Sequence, residues 1–147
     1  VNDSMGAYVA DAAVRKMIEA GQAPKKSRVV ILGLTFKENC PDTRNSKVSD
    51  VIRRLHEYGI HPTVVDPWAN SREAEREYGV TLTALEEVQD ADCVIVAVAH
   101  RQFRDLGLGG VEKLYRRCPR SEQVLIDVKG QYSVEELKQS GLRYWRL

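Results

Sequence analysis

The stretch "VVILGLTFKENCPDTRNSKVSDVI", residues 29–52, decides the fold. Its opening run is apolar, rich in β-branched residues and too short for a helix, and it stops at Gly33, so it reads as a buried strand entering a turn. Beyond the turn, Val48, Val51, Ile52 and Leu55 recur at i, i+3, i+4 and i+7, and Gly59 stands where a left-handed helix stop is wanted. That spacing predicts a helix beginning at about Asn45. A strand, a turn and a helix open a dinucleotide-binding unit, but here one glycine stands where that fingerprint has three. An NAD cradle is therefore not expected at this turn.

Working outward, the same alternation continues. "HPTVVDP", "CVIVAVAH", "EQVLIDVKG" and "RYWRL" read as further strands, with "SREAEREYG" and "SVEELKQSG" as helices between them. Upstream, Met5, Val9, Ala13, Met17 and Ala20 form one apolar helical stripe, with Asn2 to Ser4 as caps and Gly21 as its stop. Parallel neighbours need crossover connections, so this order predicts an α/β fold. The expected form is a Rossmann-like, doubly wound, mainly parallel sheet with helices on both faces, preceded by one helix.

Composition narrows the function classes. The 147 residues are 43% hydrophobic and 29% charged, enough for one domain with its own core. A net charge of +1, with no long run of either sign, gives no sign of nucleic-acid or membrane-surface binding. Cys40, Cys93 and Cys118 have no C-x-x-C spacing, which argues against a disulfide framework or a zinc site, and a reducing, cytoplasmic setting is expected. No metal is expected either. The opening "VNDSMG" has no initiator Met and suggests an excised piece of something longer.

In a sheet of this kind ligands gather at the carboxyl ends of the strands. The loop after the first strand carries Phe36, whose face can stack on a ring, Lys37, a point charge for phosphate, and Arg44, which can hold an anion through two parallel hydrogen bonds. A helix N-terminus just beyond Arg44 would favour an anion too. The plainer reading makes Phe36 core, Lys37 solvated and Arg44 a partner of Asp42 or Glu38. Asp66 ends the second strand and is either a ribose-binding acid or a turn-initiating Asp; it lies 33 residues after Gly33 and is followed by Pro67.

The pairs Phe36-Lys37 and Asp42-Thr43-Arg44, with Arg44 seven positions after Lys37, and "VVDP" a helix further on, carry a resemblance. The chain resembles the C-terminal, UDP-binding domain of the UDP-glucose/GDP-mannose dehydrogenase family, from the "NDSMGAYV" helix to "IDVKG". The wording "KENCPDTRNSK" is most similar to members that oxidise UDP-N-acetylgalactosamine or UDP-N-acetylglucosamine at C6. The resemblance implies that Phe36 and Lys37 lie against the UDP-sugar and that Arg44 reaches the NAD held by another domain. A further substrate-binding Arg of the family falls at Lys129, in Asp127-Val128-Lys129-Gly130, where a Lys cannot reproduce a planar bidentate contact.

The resemblance also implies what these residues do not contain. The family's nucleophilic Cys lies in an upstream Gly- and Pro-containing motif, so Cys40 is not that residue, and Cys93 and Cys118 read as packing residues. Residues 1–22 would be the end of the helix joining the two halves, its stripe covered by a missing partner, and 23–147 the UDP-binding domain. The N-terminal NAD domain would lie outside the chain. The implied parent is an NAD-dependent, homodimeric UDP-N-acetylhexosamine 6-dehydrogenase that takes an alcohol to a carboxylate with two NAD, for surface polysaccharide. The fragment alone is expected to be inactive and to bind UDP weakly. The alternatives are a UDP-glucose 6-dehydrogenase domain and a free-standing nucleotide-sugar-binding module. His56 and His61 read as surface residues, and His100, at the end of "CVIVAVAH", as a candidate lining residue of the nucleotide pocket.

Overall fold

The computed structural model describes residues 3–44 and 46–147. Five strands, β1 (Val29–Leu32), β2 (Thr63–Val65), β3 (Cys93–Val96), β4 (Val124–Asp127) and β5 (Arg143–Arg146), form one sheet in the order β2-β1-β3-β4-β5. Every pairing is parallel. All residues of β1, β3 and β4 are buried, as continuous apolar runs in a two-sided sheet require. The strand order reverses between β1 and β3. In a sheet of this kind the carboxyl ends beside that switch point are where a ligand is expected to sit.

Helices α1 (Asp3–Glu19), α2 (Val48–Glu57) and Ala74 of α3 (Ser71–Tyr78) cover one face together with Ile31, Ile95 and Ile126. Phe103 and Val111 of α4 (Arg101–Glu112) and Leu137 of α5 (Val134–Ser140) cover the other, with Val30, Val94 and Leu125. Alternate residues of each strand thus feed two separate cores. The Rossmann-like, doubly wound expectation is met.

Three sequence expectations need correction. From Val9 to Ala20 the stripe of α1 is covered inside this chain, against α2, β3, β4 and β5, and not by a missing partner; Met5 alone of the stripe stands exposed. Val9, Ala13 and Met17 are fully buried there, and Gly6 lets α1 approach α2 so closely that an added Cβ would meet Asp50 Cβ at 2.4 Å. Of the expected caps, Asn2 lies outside the described residues. Helix α2 starts at Val48, not near Asn45, which also lies outside them; Ser46 Oγ accepts from Val48 N and sets the start. Finally, α4 has no counterpart in the sequence reading. Gly107 sits at φ +67° inside it and splits it into two short pieces, so no helical stripe shows.

The helices expected over "SREAEREYG" and "SVEELKQSG" are α3 and α5. Asn70 caps α3 by accepting from Arg72 N and Glu73 N, and Ser133 caps α5 by accepting from Glu136 N. Gly79 and Gly141 close the same helices in the left-handed region.

Candidate functional site

Gly33, the lone glycine of the turn, serves packing. Its φ is +108°, and a Cβ there would meet Val98 Cβ at 2.5 Å, so the turn after β1 lies directly on the loop after β3. Beside it Asp66 holds the crevice floor. Oδ2 accepts from Leu34 N (2.6 Å) and Thr35 N (3.0 Å), while Oδ1 accepts from Trp68 N (2.8 Å) and Ala69 N (3.0 Å). Nε2 of buried His100 lies 2.9 Å from Oδ2. Burial alone would raise the Asp66 carboxyl; the His100 hydrogen bond and the backbone N–H groups outweigh it and hold the group below its ordinary range. Asp66 is therefore the turn-initiating Asp, with no oxygen left for a ribose.

These facts also test NAD at this turn. The glycine is filled from behind by Val98 and the strand-end acid is fully used, so the residues present do not fit a dinucleotide here.

Above the floor the predicted residues separate into two groups. Lys37 and Lys129 line one cleft with Glu38 and Ala99, which brings together the loops after β1, β3 and β4. Lys129 also borders an adjoining, mainly apolar groove walled by Phe36, Val98, Val128 and Val51, with Lys47 at its edge. Phe36 is 52% exposed and so is not a core residue. Among the described residues neither lysine of the cleft is in an ion pair, whereas Glu38 is held by Arg104 at 3.2 Å. Among the described residues the cleft thus presents two unpaired cations and one acid in a half-exposed ion pair. Such a pair of point charges suits a diphosphate, and the Phe36 face beside it suits a planar base.

Arg44 stands apart. Its guanidinium grips Asp42 through Nε to Oδ1 (3.0 Å) and Nη2 to Oδ2 (3.3 Å), and it lines a different hollow with Cys40, Asn70, Glu73 and Glu77. The hydrogen bond from Arg44 holds the Asp42 carboxyl below its usual range. The side chain is 79% exposed, so the pair is weak and easily opened.

The other side chains resolve simply. His56 and His61 are exposed, as expected, with ring centroids 5.0 Å apart. His100, a candidate lining residue, is fully buried beneath the cleft and is not among the residues that line it. Burial pushes the Cys93 thiol up, away from the thiolate, so it is a packing residue. Cys118 is only half-buried. Lys47 and Asn39 were missed from sequence. Lys47 shows only once the groove is formed, while Asn39, at φ +54°, is of a type that, with Asp, enters that region more readily than other non-glycine residues.

A family model described as "UDP-glucose/GDP-mannose dehydrogenase family, UDP binding domain" matches residues 30–134. The chain belongs to this family. The match contains Phe36, Lys37, Arg44 and Lys129 together. Among the family's curated members, UDP-N-acetyl-D-glucosamine 6-dehydrogenase of Pseudomonas aeruginosa is 42% identical over 138 residues, covering 94% of this chain and 31% of that protein. The enzyme of the same name from Salmonella typhi is 39% identical over 129 residues, covering 88% of this chain and 29% of that protein. The chain therefore spans about a third of the length of these relatives. In fold it is similar to the crystal structure of NDP-N-acetyl-D-galactosaminuronic acid dehydrogenase from Methanosarcina mazei Go1, with a TM-score of 0.83 at 24% identity, over 98% of this chain and 29% of that one. No described helix is long and apolar enough to cross a membrane.

Proposed function

We propose that this chain is the UDP-sugar-binding part of a longer NAD-dependent UDP-N-acetylhexosamine 6-dehydrogenase. One observation carries the reading: Lys37 and Lys129, from loops of two different strands, face one cleft at the switch point of the sheet, with Phe36 on the groove alongside. In this reading the lysines neutralise the diphosphate, Phe36 covers the base or sugar ring, and Lys47 extends the positive rim. The site binds and orients. Its one acid, Glu38, stands in a half-exposed pair with Arg104, and Cys40 lines another hollow, so no cysteine nucleophile faces the cleft.

The chemistry of oxidation then belongs to residues elsewhere in the parent protein. NAD does not fit the turn after β1, and Arg44, exposed and outside the cleft, is the side chain this domain would extend to an NAD bound by another domain. Residues 1–22 would join the halves. Met5, Tyr8 and Ile18 stand exposed on α1 and would contribute to the homodimer of the parent.

Calorimetric titration of the chain with UDP and with UMP tests the reading. UDP should bind more tightly than UMP, because two cations await two phosphates, with a Kd above roughly 1 μM since half the site is missing. Equal affinity for UDP and UMP would remove the diphosphate assignment. A submicromolar UDP complex would contradict the half-site picture.

A further inference from the structure

His100 has no part in the ligand site just described, yet it is the most fully bonded histidine of the chain. It is 0% exposed and sits one residue before α4. Its Nδ1 accepts from Asn39 N at 2.8 Å, and its Nε2 lies 2.9 Å from Asp66 Oδ2 and 3.1 Å from Thr35 Oγ1. A backbone N–H can only donate, so Nδ1 must carry a lone pair. The ring proton is therefore on Nε2 and is donated to Asp66.

Asn39 is held at its other end as well. Its Oδ1 accepts from Arg101 N at 2.7 Å, and its φ of +54° turns the chain sharply there. At the start of the same segment, Thr35 N donates to Asp66 and Thr35 Oγ1 donates to Lys37 O at 3.0 Å. Phe36, Lys37 and Glu38 thus form an exposed tip whose two feet, Thr35 and Asn39, meet on one buried Asp66–His100 pair. The aromatic rings of Trp68 and Phe103 lie beside the imidazole, with centroids 6.3 and 5.6 Å away, and leave it little freedom to turn.

We propose that His100 is the positioning residue of the ligand cleft: as the Nε2–H tautomer it latches the Asn39 amide to Asp66, and this latch holds Phe36 and Lys37 over the cleft. The consequence for ligand binding rests on the UDP reading above; the latch itself does not. His100 touches no ligand in this account. It reaches the tip through Asn39 N at Nδ1 and stands beside Thr35 Oγ1 at Nε2, so variants that keep one bond and lose the other should separate the two ends of the latch.

An Asn side chain places an acceptor where Nδ1 stands, while a Gln side chain places a donor where Nε2 stands. His100→Asn should keep the Asn39 bond and lose Asp66; His100→Gln should do the reverse. Amide hydrogen exchange on the 147-residue chain reads the latch directly. The Asn39 amide should be protected in the wild type and in His100→Asn, and should exchange at least about tenfold faster in His100→Gln, the loss of one buried hydrogen bond. UDP titration of the same samples should give His100→Asn within about threefold of the wild type and His100→Gln about tenfold weaker. Nitrogen-15 spectra of the imidazole should place the proton on Nε2. A proton on Nδ1, or an Asn39 amide equally protected in both variants, overturns the latch. Wild-type chain that protects Asn39 but binds no UDP would refute the UDP reading, with the exchange result still deciding the latch.

Discussion

Beneath the loop after β1, both oxygens of Asp66 and both nitrogens of His100 are bonded, and both side chains are shut from water. At the rim, Phe36, Lys37 and Lys129 stand in the open, and among the described residues the two lysines have no acid partner. The difference teaches which residues keep the shape and which keep the chemistry. A buried, satisfied carboxylate is destabilising to alter, because each stranded N–H costs desolvation. An exposed lysine is cheap to alter for the fold, because water already solvates it, and costly only to a ligand.

The comparison breaks first, if it breaks, at the rim. In the full-length parent, changing Lys37 and Arg44 together to Ala should cut turnover about a thousandfold, because two charge-assisted hydrogen bonds to bound ligand are removed. The unfolding midpoint of the same protein should not move. Retained turnover would mean that neither bond is made.

The floor should show the opposite behaviour. Asp66→Asn replaces one acceptor oxygen by an NH2 group facing N–H donors, and denaturant unfolding should report a loss on the order of 3 kcal/mol. Its pH dependence has a defined sign. The Asp66 carboxyl is held below its ordinary value of 3.8, so its contribution is complete above that pH and is lost as the pH falls below it. The wild type should therefore lose stability on that acid limb more steeply than Asp66→Asn. Gly33→Ala forces a Cβ onto Val98 at a positive φ and should cost about 2 kcal/mol by the same assay.

Smaller effects sharpen the rim itself. Lys129→Arg supplies a planar fork for phosphate, and UDP affinity measured by calorimetry should rise about threefold. Arg44→Ala, in a separate hollow, should leave UDP affinity of this chain within about twofold of the wild type.

How far these two layers were legible follows from the distance over which each is built. Strands β1, β3 and β4 and helices α3 and α5 are local patterns, and they stand where the apolar runs and the stretches "SREAEREYG" and "SVEELKQSG" put them. Phe36, Lys37 and Lys129 were legible because a motif named them, although only the fold brings Lys129 beside Lys37. The latch was not legible. It joins Thr35 and Asn39 to His100 across 65 and 61 positions, and no periodicity encodes such a meeting. The α1 stripe is legible as apolar but its cover is not, since a stripe says that something packs on it and not what. Helix α4 was hidden by Gly107, Gly109 and Gly110, residues that weaken helices and here break one in two.

The central claim is that the Lys37 and Lys129 cleft holds the diphosphate. A nitrogen-15 amide map of the chain titrated with UDP tests it most directly. Shifts should appear at residues 35–39, 97–100 and 128–130, and none in the hollow around Arg44, Asn70 and Glu77. Shifts centred on that hollow, or no shift under saturating UDP, would contradict it.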